Sequence, residues 1–209
     1  MSAAPVLFPA GPRPGVDPAD TMDGRTRVVA ARFRGVMEAL GLDLDDPNLA
    51  ETPARVARAY RFLFSGLDAG AEPELRTFPN AEGYGGIVAV TGIRFHSLCA
   101  HHFLPFFGTA HVAYLPKERL VGLSKLARVV ELFARRPQVQ ERLTEEITSF
   151  LDSRLQPAGV MIVVQARHFC MEMRGVRKAG ARTTTSSVRG AFADARRRQE
   201  FRAQIRRAR

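Results

Sequence analysis

The chain has 209 residues, 45% of them hydrophobic, and a formal net charge of +10. This length and apolar content are enough for a full core, so we expect one folded domain over residues 23–209. No apolar run approaches the roughly 20 residues that cross a membrane, and no signal-peptide pattern begins the chain, which predicts a cytoplasmic location. The positive charge suits either a nucleic acid or an anionic small molecule, so the placement of the arginines has to decide.

The first part of the chain predicts an arm followed by two helices. Residues 1–22 hold five prolines among small residues, a composition typical of disorder. Apolar residues then recur at helical spacing from Val29 to a stop at Gly41. We expect this helical part to cover residues 23–66.

The second predicted helix begins with Thr52 as N-cap and ends at Gly66. Arg55 and Arg58 lie together on its polar face. The simplest interpretation of these two arginines is a solvated basic surface.

The middle of the chain alternates between strand and helix patterns. Residues 67–86 have no periodicity and predict a long connection. Residues 87–95 and 108–115 are strand-like, with Gly92 as a possible bulge. After a turn at residues 116–118, a new helical pattern opens.

That helix is predicted to start with Ser124 as N-cap, which places Lys125 and Arg128 near its first turn. A helix N-terminus disfavours cations, so two of them there make most sense if they bind an anion together with the exposed N–H groups. Pro137 ends the run, and residues 139–155 predict a further helix.

Residues 160–170 alternate as a strand, which places His168 and Cys170 on one face. Continued alternation would bring Glu172 and Arg174 to the same side. The basic tail from residue 189 onward interleaves aromatic and aliphatic residues with arginines, so a solvated amphipathic helix is favoured over a nucleic-acid tail.

The strongest chemical signal is the pair Cys99 and His102, which three-residue spacing places on one side of a single helical or 3₁₀ turn. His101 points elsewhere and can transfer protons. With Cys170, the pair forms a Cys₂His set, the three-ligand count of a catalytic zinc site. Chance spacing of buried cysteines, or a disulfide, are the alternatives that spacing alone leaves open.

Six separated segments together identify a family. They are residues 52–56 (TPARV), 97–102 (SLCAHH), 111–116 (HVAYLP), 122–128 (GLSKLAR), 136–143 (RPQVQERL) and 168–176 (HFCMEMRGV). In their order and spacing, from residue 26 to residue 207, the chain resembles GTP cyclohydrolase I. The resemblance implies an α+β tunnelling fold, with N-terminal helices, a four-stranded antiparallel sheet and two packed helices over about residues 87–209.

The resemblance also implies an assembly and a reaction. Pentameric rings stack into a homodecamer with active sites between subunits. GTP and water become formate and 7,8-dihydroneopterin triphosphate, the first step of folate or pteridine biosynthesis. Neither a membrane nor a nucleic acid is an expected partner.

By the same resemblance, each site residue has a role. Cys99, His102 and Cys170 hold Zn²⁺, while His168 protonates the opening imidazole ring and His101 serves later proton transfers. The guanine is read by Glu141 with Gln140 close by. The triphosphate is bound by Ser124, Lys125, Arg128 and Arg174, with Arg55 and Arg58 reaching in from a neighbouring subunit.

One residue departs from the family pattern. Ala100 stands where the family commonly has a glutamate, between the metal cysteine and the two histidines. This departure leaves open a diverged homologue that binds a purine triphosphate or a regulatory partner without turnover. A basic nucleic-acid-binding protein with structural zinc is a further alternative, opposed by the absence of a fourth ligand.

Overall fold

The computed structural model describes residues 22–208, so residues 1–21 of the predicted disordered arm and residue 209 lie outside the described residues. Contacts divide the chain into two units, within Met1–Arg61 and Phe62–Arg209. Among the described residues, none of the helices combines the length and the apolar character that a bilayer crossing requires.

The first unit contains α1 (Gly24–Ala39) and α2, which spans Thr52–Leu63 and runs just past its boundary. α1 begins five residues before the predicted start at Val29, because the Asp23 carboxylate accepts a hydrogen bond from the Thr26 N–H at 2.7 Å. This bond lowers the pKa of Asp23. The predicted stop is confirmed, since Gly41 has φ +71° just after the helix.

The second unit carries the sheet. In chain order its elements are β1 (Thr77–Pro79), β2 (Val88–Cys99), β3 (Pro105–Leu115), β4 (Arg119–Val121), α3 (Leu123–Ala134), β5 (Pro137–Gln138), α4 (Gln140–Leu155), β6 (Gly159–His168), α5 (Phe169–Glu172), β7 (Thr183–Gly190) and α6 (Ala195–Arg207). Short 3₁₀ turns lie at Ser65–Leu67 and Ala191–Ala193.

The main sheet has the order β5-β2-β3-β6-β7. β2, β3, β6 and β7 are antiparallel, which confirms the expected four-stranded sheet, and the two-residue β5 adds a parallel edge to β2. β1 and β4 form a separate ribbon, so residues 67–86 are not wholly a connection as predicted. The predicted bulge is confirmed, because the β2–β3 register shifts between Val90 and Ile93 and Gly92 has φ +72°.

Helices α3 and α4 cover one face of the sheet, called here the α3/α4 face. Alternate residues of β3 and β6 point into this layer, among them Phe106, Tyr114 and Val164, each at most 1% exposed. Facing them are apolar side chains of the two helices, including Leu126 and Leu143. This layer is the larger of the two cores.

Helix α6 covers part of the opposite face, called here the α6 face. Phe201 and Ile205 of α6 pack with Phe192 against Met161 and Leu115. The amphipathic terminal helix predicted from the tail is therefore confirmed. Removing the whole tail would open this second core as well as removing charge.

We predict that Phe201→Ala lowers the free energy of unfolding by about 3–5 kcal/mol, because the ring is fully buried and its loss leaves a cavity. Chemical denaturation followed by circular dichroism measures the change. Arg202→Ala, at an exposed position of the same helix, is the control and should change stability by no more than about 0.5 kcal/mol. Equal effects of the two substitutions would contradict the packing of α6.

Candidate metal and catalytic site

The turn after β2 brings Cys99 and His102 together. The backbone N–H groups of His102 and Phe103 both donate to the Cys99 carbonyl, at 3.2 and 2.8 Å. Phe103 has φ +54°, a left-handed conformation that closes the turn before β3 begins. As a result, His102 Nδ1 lies 3.7 Å from Cys99 Sγ, which confirms the single-turn geometry predicted from the spacing.

Gln138 ties this turn to the helices. Its carbonyl accepts from the Ala100 N–H at 2.9 Å, next to the register pair of Cys99 with Gln138. Its buried side chain donates to the Phe133 carbonyl and to Glu146 at 2.9 and 2.7 Å. The turn is therefore anchored to the end of α3 and to α4, a role for Gln138 that the sequence did not predict.

Cys170 reaches the site by a different route from the one predicted. β6 ends at His168, which pairs with Phe106, the second residue of β3. Almost no β3 backbone therefore remains to pair with the residues that follow His168. The next residues form the helical turn α5. The prediction that strand alternation carries Cys170, Glu172 and Arg174 to one face is therefore wrong.

The ligand atoms of Cys99, His102 and Cys170 all lie within 4.8 Å of one another. Among residues 22–208, this is the one group of three or more such side chains close enough to share a metal ion. Both cysteines are free thiols, Cys99 is buried, and His102 is exposed. The group therefore supplies three donors with one side open to solvent.

The electrostatics of the two thiols fit a cation. Burial raises the pKa of Cys170, and the neighbouring Cys99 raises it further. Two adjacent thiolates repel each other and are stabilised together only by a positive charge between them. Two sulfur donors and one imidazole are also the donor set that zinc prefers.

Arg174 donates a hydrogen bond to Nε2 of His102, the ring nitrogen that does not face Cys99. Its Nη1 lies 2.7 Å from His102 Nε2 and can only donate, so Nε2 is the acceptor and Nδ1 carries the hydrogen towards Cys99. The ring of His101 lies edge-on to that of His102, 6.2 Å between centroids, and His101 is exposed. His101, the predicted proton-transfer residue, thus adjoins the group formed by Cys99, His102 and Cys170, called here the metal group.

His168 lies on the α3/α4 face and is held on two sides. Its ring stacks on Phe106 with 4.6 Å between centroids and a 4° interplanar angle. Its Nε2 is 2.7 Å from Gln140 Oε1. Burial lowers the pKa of His168, while the charge of Glu141 acts in the opposite direction.

Gln140 fixes the position of the hydrogen on this imidazole. Its Nε2 donates to the carbonyls of Val164 and Thr183 and to Thr185 Oγ1, so its Oε1 faces His168 as an acceptor. His168 therefore carries its hydrogen on Nε2 when neutral. The resemblance implies that Gln140 lies close to the guanine, which stays a prediction; its side chain is 2% exposed and oriented towards the histidine.

Three of the predicted phosphate-binding residues, Ser124, Lys125 and Arg128, lie in the first half of α3, away from the end that adjoins the metal group. Gly122 is the N-cap, so Ser124 is inside the first turn and the predicted N-cap is wrong by two residues. α3 begins after β3 has ended at Leu115. After the far end of α3, Pro137 pairs with Leu98, beside Cys99. At 1.5 Å per residue, its 12 residues separate these ends by about 18 Å.

Arg55 and Arg58, the remaining predicted phosphate ligands, belong to the first unit. On α2, Arg55 is exposed and Arg58 is half-buried. Their contribution to a site stays a prediction.

The chain matches the family model described as GTP cyclohydrolase I over residues 29–206. This chain belongs to the GTP cyclohydrolase I family. Among curated relatives, GTP cyclohydrolase 1 of Mycobacterium leprae (strain TN) is 54% identical over 78% of this chain and 80% of its own length. GTP cyclohydrolase 1 of Clostridioides difficile (strain 630) is 51% identical over 76% of this chain and 84% of its own length.

The family assignment and the sheet agree on the fold class, so the α+β tunnelling fold is confirmed. Among solved structures, archaeosine synthase QueF-Like in the apo form overlaps with 52% of this chain and 97% of that chain, with a TM-score of 0.42 and 15% sequence identity.

An ion pair closes the turn that carries Cys170. Arg167 Nε and Nη2 donate to the two carboxylate oxygens of Glu172 at 2.8 and 2.5 Å. The Glu172 side chain is only 8% exposed, and this pair lowers the pKa of its carboxyl group. A bidentate pair across five residues restricts the bend between β6 and α5, so it positions Cys170 beside Cys99 and His102.

We predict that Glu172→Gln weakens zinc binding by about 10- to 100-fold, as loss of supporting contacts around a metal site typically does. Competition with a chromophoric chelator measures the affinity. Glu145→Gln, which breaks the ion pair between Arg189 and Glu145 away from the turn, is the matched control and should leave it unchanged.

The exchanged pair Arg167→Glu with Glu172→Arg separates positioning from general stability, because it restores the contact with reversed charges. We expect it to recover zinc affinity in part. Wild-type zinc affinity in Glu172→Gln would show that the ion pair does not position Cys170.

Proposed function

We propose that this chain converts GTP and water into formate and 7,8-dihydroneopterin triphosphate, the entry step to folate or pteridine biosynthesis. The observation that carries the proposal is the Cys99, His102 and Cys170 group beside a histidine whose proton position is fixed. The family assignment, GTP cyclohydrolase I, supports GTP as the substrate. The free thiols of the metal group suit a reducing compartment such as the cytoplasm.

In this proposal Cys99, His102 and Cys170 hold Zn²⁺. When bound, zinc acts as a Lewis acid and lowers the pKa of water that reaches its open position. The open side of the group, next to exposed His102, is where water and substrate have access.

Loading the metal has a consequence for Arg174. If His102 binds the metal through Nε2, that nitrogen cannot accept from Arg174. If it binds through Nδ1, its hydrogen moves to Nε2, which then repels the Arg174 N–H groups. In either case Arg174 would lose this acceptor, and its guanidinium would be available to bind the triphosphate.

His168 moves a proton at a defined atom. Because Gln140 holds the hydrogen on Nε2, Nδ1 is the basic nitrogen, and the lowered pKa keeps it unprotonated near neutral pH. Nδ1 therefore takes a proton as water attacks C8 of the purine, and then returns it to the ring nitrogen as the C–N bond opens. Exposed His101 serves the later proton transfers of ribose opening and rearrangement.

Glu141 is the proposed reader of guanine. It lies in the first turn of α4, exposed and close enough to influence the pKa of His168. Its carboxylate can accept from the ring N–H and the exocyclic amine of guanine, a pairing that adenine does not offer. Gln140 acts indirectly, because it orients His168.

Most of the triphosphate contacts have to come from a second subunit. Ser124 and Lys125 lie at the start of α3, roughly 15 Å along the helix from the end that adjoins the metal group. Arg128 lies one turn closer and is exposed. We therefore assign these three residues to the site of a neighbouring subunit, with Arg55 and Arg58 as further candidates.

This division requires an oligomer, and we propose the homodecamer of two pentamers that the family resemblance implies. A ring places the start of α3 of one subunit beside the metal group of the next. The exposed apolar side chains of the metal region, Phe103, Met173 and Val176, are 46–63% exposed in the single chain and suit burial between subunits.

A second candidate function rests on Ala100. Its N–H is bound to Gln138, and its methyl group can neither hold a water nor tune the neighbouring imidazole. A homologue of this kind would bind a purine triphosphate or a regulatory partner with little turnover. We favour the active enzyme, because the other assigned groups are present.

Incubation of zinc-loaded protein with GTP, with formate and the fluorescent oxidised pterin followed together, tests the proposal. We expect both products in equal amounts from the wild type, and neither product nor bound zinc in Cys170→Ala, which removes one of three ligands. The control Cys170→His keeps a zinc donor and should retain part of the metal.

The two candidate functions give different results in this assay. GTP binding without formate from fully loaded wild-type protein would favour the diverged homologue. Full zinc occupancy and activity in Cys170→Ala would remove Cys170 from the site.

A further inference from the structure

The α6 face of the sheet carries a second candidate site, on the side opposite His168. Where α6 stops covering the sheet there is a cavity of ≈ 640 Å³, a volume within the range typical of small-ligand sites. Its lining residues come from the sheet, from the loop before β7 and from the end of α6: Gly92, Arg94, Thr109, His111, Gln165, Arg182, Ile205 and Ala208.

The described lining of the cavity is positively charged. Arg94 and Arg182 are both exposed, and within residues 22–208 neither makes an ion pair with a carboxylate. None of the described lining residues is acidic. Two guanidinium groups at one cavity repel each other, and a bound anion would relieve this repulsion.

His111 has a fixed orientation behind Thr109. It is 4% exposed, and its Nδ1 accepts from the Gly92 N–H at 3.2 Å, so a neutral ring carries its hydrogen on Nε2. Nε2 lies 3.5 Å from Thr109 Oγ1, on the cavity wall. The bulge at Gly92, whose φ of +72° favours glycine, is what turns the backbone N–H towards the ring.

The remaining lining narrows the class of ligand. The Thr109 hydroxyl and the Gln165 amide add polar groups, while the apolar contribution is limited to small or aliphatic residues such as Ile205. Apart from the imidazole of His111, the described lining offers no aromatic ring for stacking on a nucleobase. The lining therefore suits a compact, multiply charged oxyanion better than a nucleotide.

We propose that this cavity binds an inorganic oxyanion of the phosphate type, at a site separate from the one proposed for GTP. Arg94 and Arg182 supply the charge, and the Thr109 hydroxyl, whose oxygen faces His111 Nε2, supplies a directed hydrogen bond. The proposal does not depend on the reaction catalysed, because none of these residues belongs to the metal group or to the proposed triphosphate-binding set.

Isothermal titration with inorganic pyrophosphate, at constant ionic strength set with sodium chloride, tests the site. We expect one site per chain that persists in Lys125→Ala, the variant that removes a proposed triphosphate ligand. Arg94→Gln with Arg182→Gln should weaken it by about 100-fold, or about tenfold for each guanidinium lost. GTP binding should be unchanged in this double variant.

Arg197→Gln with Arg202→Gln, two exposed arginines of α6 outside the cavity lining, is the matched control and should bind pyrophosphate as the wild type does. Wild-type affinity in Arg94→Gln with Arg182→Gln would overturn the proposal. Loss of all pyrophosphate binding in Lys125→Ala would overturn it too, because the binding would then belong to the GTP site. If the double variant fails to fold, each single variant, with its expected tenfold loss, decides the same question.

Two further measurements distinguish an oxyanion site from a nucleotide site and from a purely structural role of the two arginines. Adenosine triphosphate should bind Lys125→Ala no more tightly than inorganic triphosphate does, and much tighter binding would assign the cavity to nucleotides. In phosphate-free buffer the double variant should be at least as thermally stable as the wild type. A clear loss of stability there would mean that the arginines serve the end of α6 instead.

Discussion

The register of β2, β3 and β6 is the constraint on which the candidate catalytic site depends. Leu98 pairs with Pro105, and Phe106 pairs with His168, so β2 and β6 end on the two sides of the point where β3 begins. Cys99 and His168 are brought together by this shared end. A slip of one residue in β6 would turn His168 to the opposite face, away from Phe106 and Gln140.

Two buried glutamines then fix the backbone of the metal turn and the tautomer of His168. Gln138 holds the backbone of the metal turn, and Gln140 holds the hydrogen of His168 on one nitrogen. Both side chains are at most 2% exposed and fully hydrogen-bonded, which makes their orientation costly to change. The site is therefore prepared by the core of the protein before any substrate binds.

The two faces of the same strands carry different chemistry. On β3, Phe106 supports His168 on the α3/α4 face, while Thr109 and His111 open onto the cavity of the α6 face. The period of two in a strand separates these residues although they are close in sequence. One sheet can thus present a catalytic edge and a separate basic cavity.

The sequence predicted the parts of the site that depend on local spacing. Cys99 and His102 are three residues apart, and a single turn brings them together as expected. Cys170 was identified correctly as a member of the group, but strand alternation was the wrong reason, because the end of the β3 ladder and the Arg167–Glu172 pair bend the chain into a helical turn.

Other structural features could not be predicted from local sequence patterns. The first five residues of β7 are all threonine or serine and lack the apolar alternation that marks a strand, so only its pairing with β6 reveals it. The roles of Gln138 and Gln140 depend on partners in distant elements, and a single glutamine has no pattern that shows them. The separation of Lys125 from the metal group likewise follows from the path of α3 along the sheet.

The central claim is that a complete site takes its metal group from one subunit and most of its phosphate-binding residues, Lys125 among them, from the next. Mixing Cys170→Ala chains with Lys125→Ala chains, followed by co-refolding and measurement of formate release from GTP, tests it most directly. Each variant alone should be inactive or nearly so, and a 1:1 mixture should regain about one quarter of the wild-type sites, because each intact half then meets its complement at random. Mixed assemblies, verified by native mass spectrometry, that regain no activity would contradict the claim.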